Sequence, residues 1–568
     1  MVAATISQNL CPEHSNQLSR KWRCLHNSTR TLQDTWALVV FEWTETGMKR
    51  KIFLLFALIL VVVLVPARNE DIWSPYFEKV SSIVSLIEEN YFRDIDQEEL
   101  AYSSIKGMLH TLDPHSYFLD PSHFSRLREE HVGKYHGLGI IIQKQEDRLV
   151  VISPIEGGPA YRLGIQAGDV ISHINGESTT PITSYEAMLR LRGPKGTKVN
   201  ITVVREGMEK PFDLTIKREE IPLYSVPYSF MLQDEIGYIF IRNFSGTTTK
   251  EFEEKMESLV SQGMKKLILD MRTNGGGTFI QSIEISDAFL PRGTLIVSMK
   301  GKNKEYNKEF RALYNNQYEK IPLVILINRG SASAPEIVSG AIKDNDRGFI
   351  VGETSFGKGL VQTVHPLSLN AAVALTTAKY FTPSGRSIQR DYTNLEDYRF
   401  TTRVPEGERE VRYTSRGRKV LGQGGISPDY EVKFSFQNIT AELLIKGAFF
   451  SYARKFTNKN TPLSKTISFP PKSQIREKDS GRKKVVGSDF MVGSLVIEDF
   501  KNYLRASKID YGSGQFEEAK EEIKRELERE IFSSLWGIEE GIKVYRKSDP
   551  VVLKAIEVLP EASTLIEK

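Results

Sequence analysis

Apolar positions follow two different periods along this chain, and the change of period divides it into regions. In residues 70–134 apolar residues recur every three or four positions, which predicts amphipathic helices. The clearest stripe consists of Tyr76, Val80, Ile83 and Ile87. In residues 135–220 strand-like runs alternate with glycine-containing turns, and only residues 184–191 have a helical pattern. The second region is therefore predicted to be a small β-rich domain.

Residues 221–440 mix the two periods. The predicted strands are residues 238–241, 266–269, 323–327, 349–351 and 373–377, and the predicted helices are residues 249–262, 280–289 and 335–343. Their alternation indicates an α/β layered domain. Because helical sequence also precedes the β-rich domain, that domain is predicted to be inserted between two parts of one larger body. The polar and charged residues 393–423 are predicted to form a surface loop.

Residues 441–568 return to the helical period. One stripe consists of Phe516, Ala519, Ile523, Leu527, Ile531 and Leu535. The polar face beside it carries both signs of charge, which favours packing on the core or on a partner subunit over a membrane surface. Residues 471–486 have the composition of a linker, and the sequence assigns no role to this helical region.

Residues 48–67 join a basic start to an apolar run. This layout is typical of a signal peptide or an uncleaved membrane anchor, and the run is shorter than the about 20 residues that span a bilayer. A buried core helix is the alternative. Because such signals begin at a chain start, we expect Met48 to be the true start and residues 1–47 to be a doubtful extension.

Length, charge and cysteine content narrow the class of protein. A chain of 568 residues exceeds what a single core supports, so several domains are expected. The net charge of +4 is small and basic residues are not gathered beside aromatic ones, so nucleic-acid binding has no support. The two cysteines, Cys11 and Cys24, precede the apolar run, and a chain cleaved after it would hold no thiol.

Residues 327–337, with the sequence INRGSASAPEI, carry the first catalytic pattern. A buried-strand pattern precedes them and a helix start follows, with Pro335 suited to the first turn. Ser333, between two alanines on such a turn, is placed as a nucleophile whose oxyanion would face the amides of the helix start. Simple helix capping explains the same residues, so this stretch alone leaves both interpretations open.

Residues 352–362, with the sequence GETSFGKGLVQ, supply the partner groups. Lys358 follows Ser333 by 25 residues, which is room for a helix and a strand to bring the chain back. A buried lysine has a lowered pKa and can act as a neutral base, and Gln362 could hold its amine through the amide oxygen. A solvated lysine in a glycine-rich loop is the alternative.

The combination of SASAPEI and GETSFGKGLVQ resembles the Ser-Lys peptidases of the carboxy-terminal (tail-specific) processing protease family. The resemblance implies that Ser333 is the nucleophile, Lys358 the base and Gln362 the residue that orients the base. Pro335 departs from the serine that the family often has there, which removes one N–H near the oxyanion site. The resemblance covers about residues 73–440 and includes the LDPHSYFL pattern.

The DMRTNGGG sequence, residues 270–277, follows a predicted buried strand. Three glycines permit unusual backbone angles and close substrate approach. The resemblance implies that one amide of this loop forms the oxyanion hole with the amide after the nucleophile, and we assign these to Gly276 and Ala334. A phosphate-binding loop is disfavoured, since no Lys-Ser or Lys-Thr follows the glycines.

The β-rich region resembles a PDZ domain through its GLGI stretch and the spacing of GPAYRLGIQAGDVISHINGE. The resemblance implies that Gly137, Leu138, Gly139 and Ile140 form the loop that binds a chain-terminal carboxylate. The peptide would lie between strand residues 140–142 and the helix at residues 184–191. A plain small β-domain is the alternative.

These predictions combine into one architecture and one function. The predicted fold is α/β, a crotonase-like layered peptidase core with a helical N-terminal segment, an inserted PDZ domain and a helical C-terminal region. We expect an exported, periplasmic or membrane-anchored serine endopeptidase that cleaves polypeptides with accessible C-termini. An activating adaptor protein and a second copy of the chain are further expected partners, and no metal or cofactor is implied.

Two other functions are alternatives to a Ser-Lys peptidase. A silent PDZ scaffold would be marked by loss of Ser333 or Lys358, and both are present. A Ser-His-Asp hydrolase would need His365, the one core histidine after the nucleophile. His115, in a predicted turn, is expected to be a structural hydrogen-bonding residue.

Overall fold

The computed structural model describes residues 72–315, 317–400, 407, 409–467, 476–478, 482–484 and 490–566. The predictions for residues 1–47 and 48–67, including both cysteines, lie outside the described residues, as does most of the predicted linker. None of the helices in the described ranges is long and apolar enough to cross a membrane.

The chain divides into two units between Met108 and Leu109. The first unit contains helix α1 (Ser74–Asn90) and most of helix α2 (Gln97–His110). Neither helix buries a residue. The predicted stripe is thus helical as expected, but its Tyr76, Val80 and Ile83 are each more than half exposed.

The second unit begins with strand β1 (Tyr117–Leu119) and helix α3 (Pro121–Val132), which lead into the β-rich domain. That domain contains β2 (Lys134–Gly137), β3 (Ile140–Gln145), β4 (Arg148–Pro154), α4 (Pro159–Arg162), β5 (Val170–Ile174), β6 (Glu177–Ser178), α5 (Ser184–Leu191), β7 (Lys198–Val204), β8 (Phe212–Lys217) and β9 (Glu219–Pro222). Strands β3-β4-β5-β7-β8 form its sheet in that order. The antiparallel pair of β2 with β9 joins the strand that enters the domain to the strand that leaves it.

A six-stranded sheet forms the centre of the body that follows. Its strands are β10 (Tyr228–Gln233), β11 (Ile236–Phe240), β12 (Lys266–Asp270), β15 (Leu323–Ile327), β16 (Phe349–Gly352) and β21 (Tyr430–Glu431), in that spatial order. All neighbouring pairs are parallel except β10 with β11. Helices α6 (Thr248–Ser261), α7 (Phe279–Asp287) and α8 (Ala334–Asp344) lie in the connections.

Both faces of this sheet are buried, which explains why its strands have continuous apolar sequences. Along β12, Leu267 and Leu269 belong to the core formed with α6, α7 and α8, whereas Ile268 belongs to a second core. The second core is completed by helix α16 (Pro550–Thr564), from the end of the chain. The sheet is therefore closed on one side by its own crossover helices and on the other by a distant helix.

An antiparallel sheet packs beside these layers. It consists of β1, β13 (Leu295–Gly301), β14 (Lys308–Arg311), β17 (Leu360–Pro366) and β18 (Ala372–Phe381). Strand β1 pairs with β18, so sequence from before the β-rich domain joins the body that follows it. This pairing is what the predicted insertion requires. The predicted surface loop contains helix α9 (Leu395–Phe400) and a hairpin of β19 (Val411–Tyr413) with β20 (Lys419–Leu421), so it is more ordered than the polar sequence indicated.

The C-terminal region is helical, as predicted. Its helices are α10 (Asn438–Ile445), α11 (Ala448–Thr457), α12 (Ser494–Ala506), α13 (Ser513–Glu518), α14 (Lys520–Trp536), α15 (Ile538–Lys547) and α16, and a short pair joins β22 (Arg476–Lys478) to β23 (Arg482–Lys484). Every residue of the predicted stripe from Phe516 to Leu535 is buried in a separate core with α10, α11 and α12.

Candidate active site

Ser333 lies at the turn that joins β15 to α8. Its backbone has φ 65° and ψ −110°, a sparsely populated conformation that costs a residue with a side chain about 1–3 kcal/mol. Ser333 is fully buried, and its Oγ has no hydrogen-bond partner. A strained serine with an unpaired hydroxyl at the positive end of a helix has the features expected of a nucleophile.

The carboxylate of Glu336 holds this turn to the loop before β17. One carboxylate oxygen accepts the N–H of Ser333 at 2.8 Å and the N–H of Lys358 at 2.9 Å. The other accepts the N–H of Gly357 at 2.7 Å and the hydroxyl of Ser355 at 2.5 Å. One fully buried side chain thus fixes the backbone positions of the predicted nucleophile and of the predicted base.

Burial raises the pKa of Glu336 to about 7, although its four hydrogen-bond donors favour the ionised form. Burial also lowers the pKa of Lys358 to about 8, and the charges of Glu336 and Asp113 oppose that shift. Lys358 is only 4% exposed, which contradicts the alternative of a solvated loop lysine. A neutral amine is consequently accessible near neutral pH, as a general base requires.

Tyr380, on β18, ties the same two segments together from another side. Its hydroxyl lies 2.6 Å from the carbonyl oxygen of Lys358 and 3.3 Å from that of Ser333. The tyrosine is fully buried, so both carbonyl groups gain a partner away from water. The main chain of the two predicted catalytic residues is therefore held by Glu336 through N–H groups and by Tyr380 through carbonyl groups.

Gln362 lies on β17 and is completely buried. Its Nε2 donates to Thr376 Oγ1 at 3.2 Å, whereas its Oε1 has no hydrogen-bond partner. Because Ser333 Oγ is also unpartnered, neither of these two atoms is hydrogen-bonded to Lys358. The structure brings the segments of the three residues together without the catalytic hydrogen bonds, and their roles stay a prediction.

The glycine loop approaches Ser333 closely. A Cβ added to Gly276 would lie 2.9 Å from the Cβ of Ser333, so no side chain fits there. The N–H of Gly276 donates to Asn274 Oδ1 at 2.9 Å, while the N–H of Ala332 donates to the carbonyl of Asn274. The assigned amide of Gly276 is therefore occupied in this conformation, and the oxyanion roles of Gly276 and Ala334 remain predictions.

His115 and His365 lie in different surroundings. His115 is buried, and its Nε2 lies 2.6 Å from the hydroxyl of Tyr398. Burial and, after it, the charge of Lys358 lower the pKa of His115 to about 4, against the charge of Asp113. His365 is exposed on β17, three positions after Gln362, so the two side chains point to opposite faces of the strand.

The β-rich domain has a groove of about 500 Å³ beside the predicted carboxylate-binding loop. Leu138, Gly139 and Ile140 line it, and Gly139 has a positive φ of 70°. Further lining comes from Ile142 on β3 and from Met188 and Leu191 on α5. This is the position and the apolar character expected of a peptide groove. Gly137 is the last residue of β2 and is not among the residues that line the groove.

Three family models match the chain. Peptidase family S41 matches residues 235–395, a PDZ domain matches residues 150–205, and the N-terminal domain of the activating protease CtpB matches residues 66–122. A carboxy-terminal-processing protease of Bartonella bacilliformis is 37% identical over 342 residues, which is 60% of this chain and 78% of that protein. The chain belongs to the carboxy-terminal processing protease family.

A second curated relative agrees with this assignment. The carboxy-terminal processing protease CtpA of Bacillus subtilis is 34% identical over 358 residues, covering 60% of this chain and 76% of that protein. Among solved structures, a photosystem II D1 C-terminal processing protease is 28% identical, covers 66% of this chain and 91% of its own, and has a TM-score of 0.35. The chain is a serine-type protease with a PDZ domain, and the silent scaffold is disfavoured.

For this carboxy-terminal processing protease, sequence inspection missed three groups beside the site. Glu336 had a visible signal, since Ser333-x-x-Glu336 is a capping-box pattern at a helix start. Tyr380 and Thr376 had none, because a strand pattern does not tell which distant loop a side chain meets. Among the described residues, no group of three or more His, Cys, Asp or Glu side chains is placed to hold a metal ion.

Proposed function

We propose that this protein is a serine endopeptidase in which Ser333 is the nucleophile and Lys358 the general base. The observation that carries the proposal is the Glu336 carboxylate, which accepts the N–H groups of both residues. That arrangement fixes a strained serine and a buried lysine in one place. A strained backbone and a buried lysine each destabilise a fold, so finding the two together favours a catalytic role over a purely structural one.

The first half of the reaction forms an acyl-enzyme. The neutral Lys358 amine takes the proton from Ser333 Oγ as the oxygen attacks the scissile carbonyl carbon. The resulting oxyanion is stabilised by the Ala334 amide and by an amide of the glycine loop, which we assign to Gly276. The tetrahedral intermediate then collapses, the C–N bond breaks, and Lys358 returns its proton to the leaving amine.

The second half releases the product with the same groups. A water molecule loses a proton to Lys358 and attacks the acyl carbon, and the proton then passes to Ser333 Oγ as the ester bond breaks. Gln362 orients the lysine amine through its amide oxygen in both halves. Every proton in this scheme moves between Ser333, Lys358, the substrate and water.

Access to the active arrangement is coupled to the PDZ groove in this proposal. The unpartnered Ser333 Oγ and Gln362 Oε1, together with the occupied Gly276 amide, support a resting state in the described conformation. A substrate C-terminus in the groove, or an adaptor protein, would favour the hydrogen-bonded state by binding it more tightly. Residues 48–67 support export, as a signal peptide or an anchor, to an extracytoplasmic compartment.

The test compares the full chain with Ser333→Ala and Lys358→Ala on an unstructured protein that ends in apolar residues. Fragments are identified by mass spectrometry, which separates internal cleavage from trimming at the ends. We expect internal cleavage by the wild type and none by either variant. Lys379→Ala, which removes an exposed lysine on β18, is the matched control and is expected to keep full activity.

The same assay decides between lysine and histidine as the base. His365→Ala is expected to lose little activity, because its side chain is exposed on the face of β17 opposite to Gln362. Cleavage that survives in Lys358→Ala and disappears in His365→Ala would overturn the Ser-Lys assignment and favour a Ser-His pair.

A further inference from the structure

A chain of hydrogen bonds runs from the turn before β1 to the catalytic glutamine. Asp113 accepts the Thr376 hydroxyl at 3.2 Å, and the same hydroxyl oxygen accepts Gln362 Nε2 at 3.2 Å. Asp113 is separated from Thr376 by 263 positions, so the contact is built by the pairing of β1 with β18. The turn that carries Asp113 is part of the LDPHS sequence.

The polarity of this chain is fixed at its first member. Asp113 Oδ1 accepts the N–H groups of His115 and Ser116, so it meets Thr376 as an acceptor and the Thr376 hydroxyl gives it its single proton. The lone pairs of Thr376 Oγ1 are then left to accept a donor, and the amide of Gln362 can supply one only through Nε2. The amide oxygen of Gln362 is consequently turned away from Thr376, and it is buried without a partner.

Asp113 is itself held firmly in position. Its carboxylate accepts the N–H groups of His115 and Ser116 at 2.7 and 2.8 Å, and the Ser116 hydroxyl at 2.8 Å. The Ser116 Oγ also accepts the N–H of Thr376 at 3.0 Å. The Ser116 Oγ also lies 3.3 Å from Thr376 Oγ1, so three contacts join this turn to residue 376 and restrain both the carboxylate and the hydroxyl.

We propose that Asp113 and Thr376 are positioning residues that hold the Gln362 amide with its oxygen toward Lys358. The inference rests on the proposed function, in which that oxygen orients the lysine amine. Asp113 acts through Thr376 and Gln362, and it touches no reacting atom. An amide without this relay could flip and present Nε2 to the lysine, and a donor facing an amine that must lose its proton provides no useful hydrogen bond.

The charges around Lys358 define what a pH profile should show. Glu336 faces it from α8, and Asp113 and His115 face it from the turn before β1. A carbonyl oxygen favours the protonated amine, so loss of the relay should move the acid limb of the kcat profile to lower pH while the plateau falls. A substitution that only disturbed packing would lower the plateau of kcat and leave the acid limb in place.

The experiment uses three variants of the full chain and the protein substrate described above. Thr376→Val removes the hydroxyl at nearly constant volume and is expected to lower kcat about tenfold or more, with KM within about twofold. Thr376→Ser restores the hydroxyl and is expected to recover most of that loss. Asp113→Asn keeps an acceptor oxygen for Thr376 but removes the negative charge that raises the pKa of Lys358, so it should also move the acid limb to lower pH.

The outcomes separate this inference from the proposed function. Unchanged kcat and an unmoved limb in Thr376→Val would overturn the relay while Ser333 and Lys358 keep their roles. Equal losses in Thr376→Val and Thr376→Ser, with no shift of the limb, would overturn it in favour of packing. Activity retained by Lys358→Ala would remove the proposed function and this inference with it.

Discussion

Helices cover both faces of the six-stranded sheet, but the helices on the two faces come from different parts of the chain. Helices α6, α7 and α8 come from the crossovers between neighbouring strands, and α8 carries Ser333 at its start. Helix α16 begins more than 100 residues after β21, the last strand of this sheet, and contributes apolar packing, an N-cap and the Glu561 carboxylate that accepts the Tyr430 hydroxyl. Under the proposed function, one face therefore combines stability with chemistry, and the other is expected to contribute stability alone.

The two faces meet at a buried ionic cluster. Arg272, in the glycine loop, lies 2.6 Å from Asp270 and 2.8 Å from Asp549, the N-cap of α16. Arg546 lies 2.8 Å from Asp549 and donates to the Tyr238 hydroxyl. The distant helix is thus connected by charge to the loop whose glycines approach Ser333, and the separation of roles can be tested there.

The largest effect is expected from removing residues 537–568. The loss of α16 exposes the apolar face formed by Tyr238, Ile268 and Leu326, and an exposed patch of that kind causes aggregation or unfolding. We expect no soluble, folded protein by circular dichroism and no protease activity. Removal of residues 567–568 alone is the control, and a truncated protein with wild-type melting would contradict the role of the distant face.

The second effect is expected from Asp549→Ala. This change leaves Arg272 and Arg546 buried without their shared carboxylate, which costs about 3–5 kcal/mol of unfolding free energy. Although burial opposes ionisation, the two arginines hold the pKa of Asp549 at about 2. The stability that the ionised Asp549 contributes is therefore present above the ordinary aspartate pKa and is lost as the pH falls toward about 2.

Urea unfolding at neutral and acidic pH measures this contribution. Glu557→Ala, on the exposed side of α16, is the matched control and should change the unfolding free energy by less than about 0.5 kcal/mol. Equal losses of unfolding free energy in the two variants would mean that the ionic cluster does not stabilise the contact between α16 and the rest of the fold.

The third effect concerns the chemical face. Glu336→Gln replaces one acceptor oxygen by an NH₂ group, which cannot accept the N–H groups that the carboxylate now accepts. We expect kcat to fall about a hundredfold, which is about 2.7 kcal/mol of transition-state stabilisation, as the Ser333 and Lys358 segments separate. Steady-state kinetics on the folded variant checks this, with Glu353→Gln as the control. Wild-type kcat in Glu336→Gln would remove the carboxylate from the catalytic arrangement.

The smallest effect is a change of pH. Because the pKa of Lys358 is about 8, the neutral amine falls about tenfold for each pH unit below that value. The rate kcat/KM should rise with pH and reach half of its plateau near pH 8. Below about pH 7 protonation of Glu336 should add to the loss, since its pKa is about 7. A rate independent of pH between 6 and 9 would exclude a titrating lysine base.

The free energy of unfolding should rise with pH through Lys358 as it does through Asp549, but in a higher pH window. Lys358 has a folded pKa below its ordinary value, so between about pH 8 and the ordinary lysine range the unfolded chain binds more protons. Its contribution to the unfolding free energy therefore rises with pH across that window.

The parts that could be predicted from sequence are those whose cause is local. Helix α5 begins and ends where the pattern indicated, because Thr183 and Glu186 form a capping box at its start. The turn at Ser333 follows from a strand pattern, small residues and Pro335. The stripe from Phe516 to Leu535 predicted a helix with one buried face, but it did not predict which surface covers that face.

The parts that could not be predicted depend on contacts between distant segments. An apolar stripe on α16 does not tell that it covers Ile268 and Leu326, since any apolar surface would satisfy it. The occupied amide of Gly276 depends on the side chain of Asn274, whose orientation no pattern encodes. His115 forms a hydrogen bond with Tyr398, and its structural role stays a prediction; its position beside Lys358 depends on the pairing of β1 with β18.

The late position of α16 also sets the order of events during synthesis. A ribosome releases the strands and the predicted catalytic residues long before it releases residues 550–564, and domains generally fold as units. Until that helix arrives, one face of the central sheet has no cover and the cluster at Arg272 lacks Asp549. We therefore expect this protease to become competent only after α16 has been synthesised, which would keep nascent chains without α16 from cutting their neighbours.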